Sequence, residues 1–235
     1  MSTLRASATS SSGRLQRAYL RWRYTLLFYS LLLTFAAGPL LSALGFDANL
    51  LEWFLAVNLL AAVIPIGSRK VRRLFLTIVI AALVLRSGAA WFDSAVLSVA
   101  SLAIWTVVAL GTAASALRFA LGATVADREH LYAALSAYVL AGLFCGVCYW
   151  ILEQAWPGSL SSAGESVPGG FSLVDAFYFS FVTLTTLGYG DIVPRSEVAR
   201  GLAIVEAVAG QLYLAAMIAY LANHHIPRGQ RGRKP

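Results

Sequence analysis

Apolar residues gather into long runs separated by short polar breaks. Six runs approach or exceed the roughly 20 residues that a helix needs to cross a bilayer. They cover residues 24–44, 49–67, 73–90, 94–117, 131–152 and 199–222. Between the last two lies a shorter apolar stretch, 173–185, which is too short to span. The Gly-, Pro- and Ser-rich segment 153–171 before it reads as an extracellular loop. Ser172 and Asp175, three residues apart, form a helix-start pattern. A short helix is therefore expected, and its aromatics Phe177, Tyr178, Phe179 and Phe181 suit packing between longer helices.

The pattern divides the chain into an N-terminal tail 1–23, a four-helix region 24–121, a second helical unit 131–223 and a C-terminal tail 224–235. The polar stretch Ala126-Asp127-Arg128-Glu129-His130 joins the two helical parts. Hydrophobic residues make up 59% of the chain and charged residues 12%, with mean hydropathy +0.71. Soluble domains average about 25% charged residues, so the fold class expected is an all-α membrane protein.

Net charge is +7, and its placement orients the chain. With six spans, both tails share a side. All but three of the 18 basic residues fall on that side, which makes it cytoplasmic. The exceptions are Arg86, Arg195 and Arg200, in company with Asp47, Glu52, Asp93, Glu153, Glu165, Asp191 and Glu197. The outer face is thus acidic, which favours the approach of positive charge. The basic charge serves orientation and contact with anionic lipid, and nucleic-acid binding is the poorer reading. The Ser- and Arg-rich residues 1–23 read as a cytoplasmic tail, an organellar targeting segment being the alternative.

The run Thr186-Leu187-Gly188-Tyr189-Gly190-Asp191 follows the short helix. A dehydrated cation can be held by backbone carbonyls that replace its water shell. Aiming successive carbonyls down one axis forces alternate residues into left-handed dihedrals, which glycine adopts at little cost. Gly188 and Gly190 sit on alternate positions, Leu187 and Tyr189 can point outward, and the Thr186 hydroxyl can add an oxygen.

This run, preceded by Thr183-Leu184-Thr185 and followed by Pro194, resembles the selectivity filter of the potassium channel superfamily. The resemblance implies an outer helix 131–152, a re-entrant pore helix 173–185, a filter 186–191 and an inner helix 199–222. Four subunits would surround one axis as a homotetramer in the membrane lipid. Potassium would bind through Thr186, Leu187, Gly188 and Tyr189, with Gly190 completing the strand. The function implied is passive, potassium-selective conduction, with a less selective monovalent cation channel as the alternative. No cofactor is expected beyond potassium as the permeant ion, and no enzyme motif is present. The expected location is a cell membrane of the prokaryotic inner-membrane kind.

The resemblance also places a hinge at Gly210 and turns Gln211, Leu214 and Ile218 towards the cavity. Glycine is common at membrane helix contacts too, so hinge and packing both stand for Gly210. Tyr178 is placed to offer its hydroxyl to Asp191, while Val182 stands where some relatives carry an acid. Glu206 is the one acid deep in a span. It lies about 140° around the helix from Gln211, off the cavity face. It is read as a structural clamp against the pore helix or a neighbouring subunit, with a conduction role and a solvated pocket left open.

Cys145 and Cys148 read as apolar packing, since no His or carboxylate lies within a helical turn of them, a redox or metal pair being the alternative. The fourth run, 94–117, lacks any basic residue, which argues against voltage sensing. His224 and His225 read as solvated, a proton sensor being the alternative.

Overall fold

The computed structural model describes residues 22–33, 35, 73, 76–81, 84, 95–122, 127–162 and 170–225. The expected span 49–67 lies outside the described residues, as do most of 73–90 and the latter part of 24–44. Helices run over residues 22–33 (α1), 76–81 (α2), Ala95–Leu121 (α3), Arg128–Ala155 (α4), Leu173–Leu184 (α5) and Glu197–His225 (α6). Among the described residues, α4 and α6 are long and apolar enough to cross a membrane.

The polar stretch 126–130 is not a linker throughout. Asp127 caps α4, its carboxylate accepting the His130 amide at 3.1 Å, so residues 128–130 form the first helical turn. Capping satisfies amides that have no partner inside the helix, which lets a polar sequence start it. Glu129 then accepts the Tyr24 amide at 3.0 Å and the Thr25 hydroxyl, fastening α1 to the same end. The packing between α3 and α4 rests on small residues. Ala109, Ala113, Ala116 and Ala120 of α3 and Ala133, Ala134 and Ala137 of α4 are buried in one core with Leu27, Leu31, Leu140 and Leu143. Small side chains let helices approach where burial from water gives no drive between them.

The segment read as a loop also contains regular structure. α4 continues to Ala155, and a strand, β1 (Leu160–Ser162), pairs antiparallel with β2 (Ile192–Pro194), with Ser161 opposite Val193. Strands of three residues are too short to show a two-residue period, so the all-α expectation omits this sheet. Glu153 turns the chain back towards β1 by accepting the Gly158 amide at 2.7 Å and the Leu160 amide at 2.8 Å. Arg195 closes the junction, its amide donating to the Ser159 carbonyl and its Nε to Ser161 Oγ, each at 2.8 Å. The end of α4 is thereby tied to the segment that leaves residues 186–191.

Candidate ion site

α5 begins at a closed capping box. Asp175 N donates to Ser172 Oγ at 3.1 Å, and Ser172 N donates to Asp175 Oδ2 at 2.9 Å. Its far end is finished by the residues that follow. Thr186 N donates to the Thr183 carbonyl at 2.9 Å, while Leu187 N and Gly188 N both donate to the Val182 carbonyl, at 2.9 and 3.2 Å. The last carbonyls of a helix need donors from outside it. Here they draw the amides of 186–188 inward.

The backbone alternates through the run. Thr186, Gly188 and Gly190 have φ of 59°, 60° and 79°, and among the described non-glycine residues Thr186 alone has positive φ. Left-handed residues at every second position are what a column of carbonyls aimed one way demands. The sequence assigns this conformation to the two glycines but not to Thr186. A β-branched residue there is strained by about 1–3 kcal/mol, and such strain concentrates at functional segments.

Leu187 and Tyr189 are exposed, so a single chain does not supply the packing expected around them. Asp191 lies just beyond the run. Tyr178 donates its hydroxyl to Asp191 Oδ2 at 2.6 Å, and the Ile192 amide donates to Oδ1 at 2.9 Å. The Tyr178 hydroxyl, with the Ile192 amide, holds the Asp191 carboxyl below the usual carboxylate range. A depressed carboxyl keeps its contact above the ordinary carboxylate pKa and loses it as pH falls through the depressed value. On the conducting role that the resemblance implies, Tyr178→Phe is therefore expected to move acid-induced loss of conduction to higher pH without disturbing assembly. A pH profile of flux superimposable on wild type would remove this contact from the mechanism.

Two glycines on α4, which sequence reasoning passed over, admit α5. A Cβ on Gly142 would lie 2.7 Å from the Phe181 ring, and one on Gly146 would lie 3.1 Å from Phe177 Cα. Their four-residue spacing was a readable contact signal. α6 crosses behind them with a buried stripe through Ala199, Glu206, Gly210 and Met217. Gly210 abuts the end of α5: an added Cβ would meet Leu184 Cδ1 at 2.7 Å and the Leu184 carbonyl at 2.9 Å. That carbonyl also accepts the Tyr138 hydroxyl at 3.1 Å. Gln211 and Ile218 are exposed and Leu214 is half-buried, all beside the stripe rather than on it.

Glu206 is buried, 3% exposed, between α4 and α5. Tyr149 donates its hydroxyl to Oε2 at 2.7 Å, and Ser180 Oγ lies 2.5 Å from Oε1. The Cys145 thiol faces the same carboxyl, and both cysteines are free. The absence of a carboxylate near these cysteines thus holds along their own helix and fails across helices.

Residues 135–224, from α4 through α6, match the family described as Ion channel. Curated relatives are potassium channels. Two-pore potassium channel 1 of Arabidopsis thaliana is 31% identical over 94 residues, 40% of this chain and 23% of its own. Inward rectifier potassium channel Kirbac3.1 of Paramagnetospirillum magnetotacticum is 37% identical over 78 residues, 33% of this chain and 21% of its own. A voltage-gated potassium channel of Aeropyrum pernix is 29% identical over 101 residues, 43% of this chain and 31% of its own. The chain thus spans less than a third of the length of these relatives. No solved structure matches it.

Proposed function

We propose that this member of the potassium channel superfamily, matched through residues 135–224, conducts potassium passively and selectively through a homotetrameric pore. The observation that carries the reading is the alternating left-handed backbone at Thr186, Gly188 and Gly190, continuous with the capped end of α5. That backbone suits carbonyl coordination by Thr186, Leu187, Gly188 and Tyr189. The three relatives are named for two-pore, inward-rectifying and voltage-gated channels, and potassium is what those names share.

One such run per chain cannot encircle an ion. Four copies around an axis would cover the exposed Leu187 and Tyr189 and part of the open face of α6, where Ile204, Val205, Val208 and Leu212 are exposed. Gln211, Leu214 and Ile218 would then line the cavity, and both termini would lie in the cytoplasm of a cell membrane. The region 94–117 offers no basic ladder. Moving one charge through 100 mV is worth about 2.3 kcal/mol, so steep voltage dependence needs several such charges.

Purified protein in proteoliposomes is expected to pass potassium and rubidium while largely excluding sodium. Equal sodium and potassium permeability would overturn selectivity. In planar bilayers, open probability is expected to change little across the physiological voltage range; a steep conductance–voltage curve would contradict this. Native mass spectrometry is expected to find a tetramer, and a conducting monomer would end the assembly reading.

A further inference from the structure

The polar contacts behind the pore helix do not balance if Glu206 is ionised. Ser180 Oγ is 2.5 Å from Glu206 Oε1 and 2.7 Å from the Gly142 carbonyl oxygen, yet a hydroxyl carries one proton. With a carboxylate, both neighbours are acceptors, and one of the two close oxygen pairs has no proton between its members. A proton on Oε1 removes the conflict. Glu206 then donates to Ser180 Oγ, Ser180 donates to the Gly142 carbonyl, and Tyr149 donates to Oε2. All three distances suit O–H···O bonds.

The surroundings offer nothing that would favour the charge. Tyr149 and Ser180 are 0% exposed. The titratable groups that α4 turns towards Glu206 are Cys145, Cys148, Tyr149 and Tyr138, each neutral at physiological pH, while α5 presents Ser180. Among the described residues facing it, none is basic. A buried carboxylate without a cation is disfavoured against its protonated form.

We propose, on the channel reading above, that Glu206 is a positioning residue held as the neutral acid, and that its proton locks α6, α5 and α4 together behind the filter. Through the carboxyl, α6 fixes Ser180, and through Ser180 it fixes Gly142 of α4. Two residues beyond Ser180, the Val182 carbonyl holds the amides of Leu187 and Gly188. The position of the pore helix therefore reaches the filter backbone directly. Loss of the proton turns the single Ser180 hydrogen towards the carboxylate and releases the Gly142 carbonyl. The lock opens on alkalinisation, the direction a neutral functional acid requires.

The test pairs flux with infrared spectroscopy on the full-length protein in proteoliposomes. Glu206→Gln reproduces the proposed pattern: its amide oxygen accepts from Tyr149, and its amide nitrogen donates to Ser180. The variant is expected to conduct potassium like wild type at neutral pH and to keep conducting at alkaline pH, where wild type loses flux. Wild type labelled with 13C-glutamate is expected to show an isotope-shifted carboxylic-acid carbonyl band at neutral pH, absent from Glu206→Gln. An assembled but non-conducting Glu206→Gln, or wild type lacking that band at neutral pH, would overturn the proposal. The band reads the proton whether or not the variant assembles. Wild type with the band but without potassium flux would instead count against the channel reading, so the two failures remain distinct.

Discussion

Gly188→Ala is expected to abolish potassium flux while leaving the oligomer assembled. The glycine has φ of 60°, and an added Cβ meets nothing within 4 Å in its own chain, so within one subunit the penalty is conformational rather than a clash. A left-handed L-residue costs about 1–2 kcal/mol, and four subunits would bring this to roughly 4–8 kcal/mol against the conducting strand. Even the lower bound is roughly a thousandfold in an equilibrium constant, more than a pore with a modest open probability can absorb. The mechanism predicts its own rescue. D-Alanine introduced at position 188 by semisynthesis favours positive φ and is expected to restore conduction. Flux surviving in the L-alanine protein, or absent from the D-alanine protein, would show that left-handed backbone at 188 is not what conduction needs.

What could be read from the sequence was local. The cap at Ser172 and Asp175 depends on two residues three apart, and the structure closes it as a box. The apolar runs at 94–117, 131–152 and 199–222 fall on the helices α3, α4 and α6, which reach a few residues beyond the runs at one or both ends because capping and helix-compatible flanking residues continue the backbone pattern. The helical angle between Glu206 and Gln211 separated a buried position from an exposed one. The partners of Glu206 were beyond reach: Ser180 and Tyr149 lie 26 and 57 residues away, and no spacing rule links them. Strand β1 was hidden by its length, and Thr186 by its type, since local preference argues against a β-branched residue at positive φ. Such conflicts between local rule and structure are expected where function imposes the backbone. The pair Gly142 and Gly146 was legible and missed, because small residues in an apolar run look like ordinary packing until their four-residue spacing is counted.

Gly210→Ala is expected to disable the pore, and Gly201→Ala on the same helix to leave it intact. Alanine is favoured over glycine within a helix by up to about 1 kcal/mol, and at Gly201, where a Cβ meets nothing within 4 Å, little opposes that gain. At Gly210 the methyl group would overlap Leu184 Cδ1 and approach the Leu184 carbonyl to 2.9 Å. Overpacking of this kind costs about 1–3 kcal/mol per site, or roughly 4–12 kcal/mol over the four subunits of the proposed tetramer, which outweighs the helical gain. The carbonyl cannot yield freely, because it also holds the Tyr138 hydroxyl and sits two residues before Thr186. A hinge reading of Gly210 predicts the same single-variant loss, so a second substitution separates the two. Leu184→Ala removes the overlapping methyl and leaves any loss of flexibility at 210 unchanged. Partial recovery of potassium flux in Gly210→Ala/Leu184→Ala, relative to Gly210→Ala alone, is the outcome that close packing demands. A double variant as inactive as the single, with its oligomer intact, would rule out the Leu184 side chain as the obstacle and leave the requirement for glycine with the Leu184 carbonyl or with bending of the inner helix.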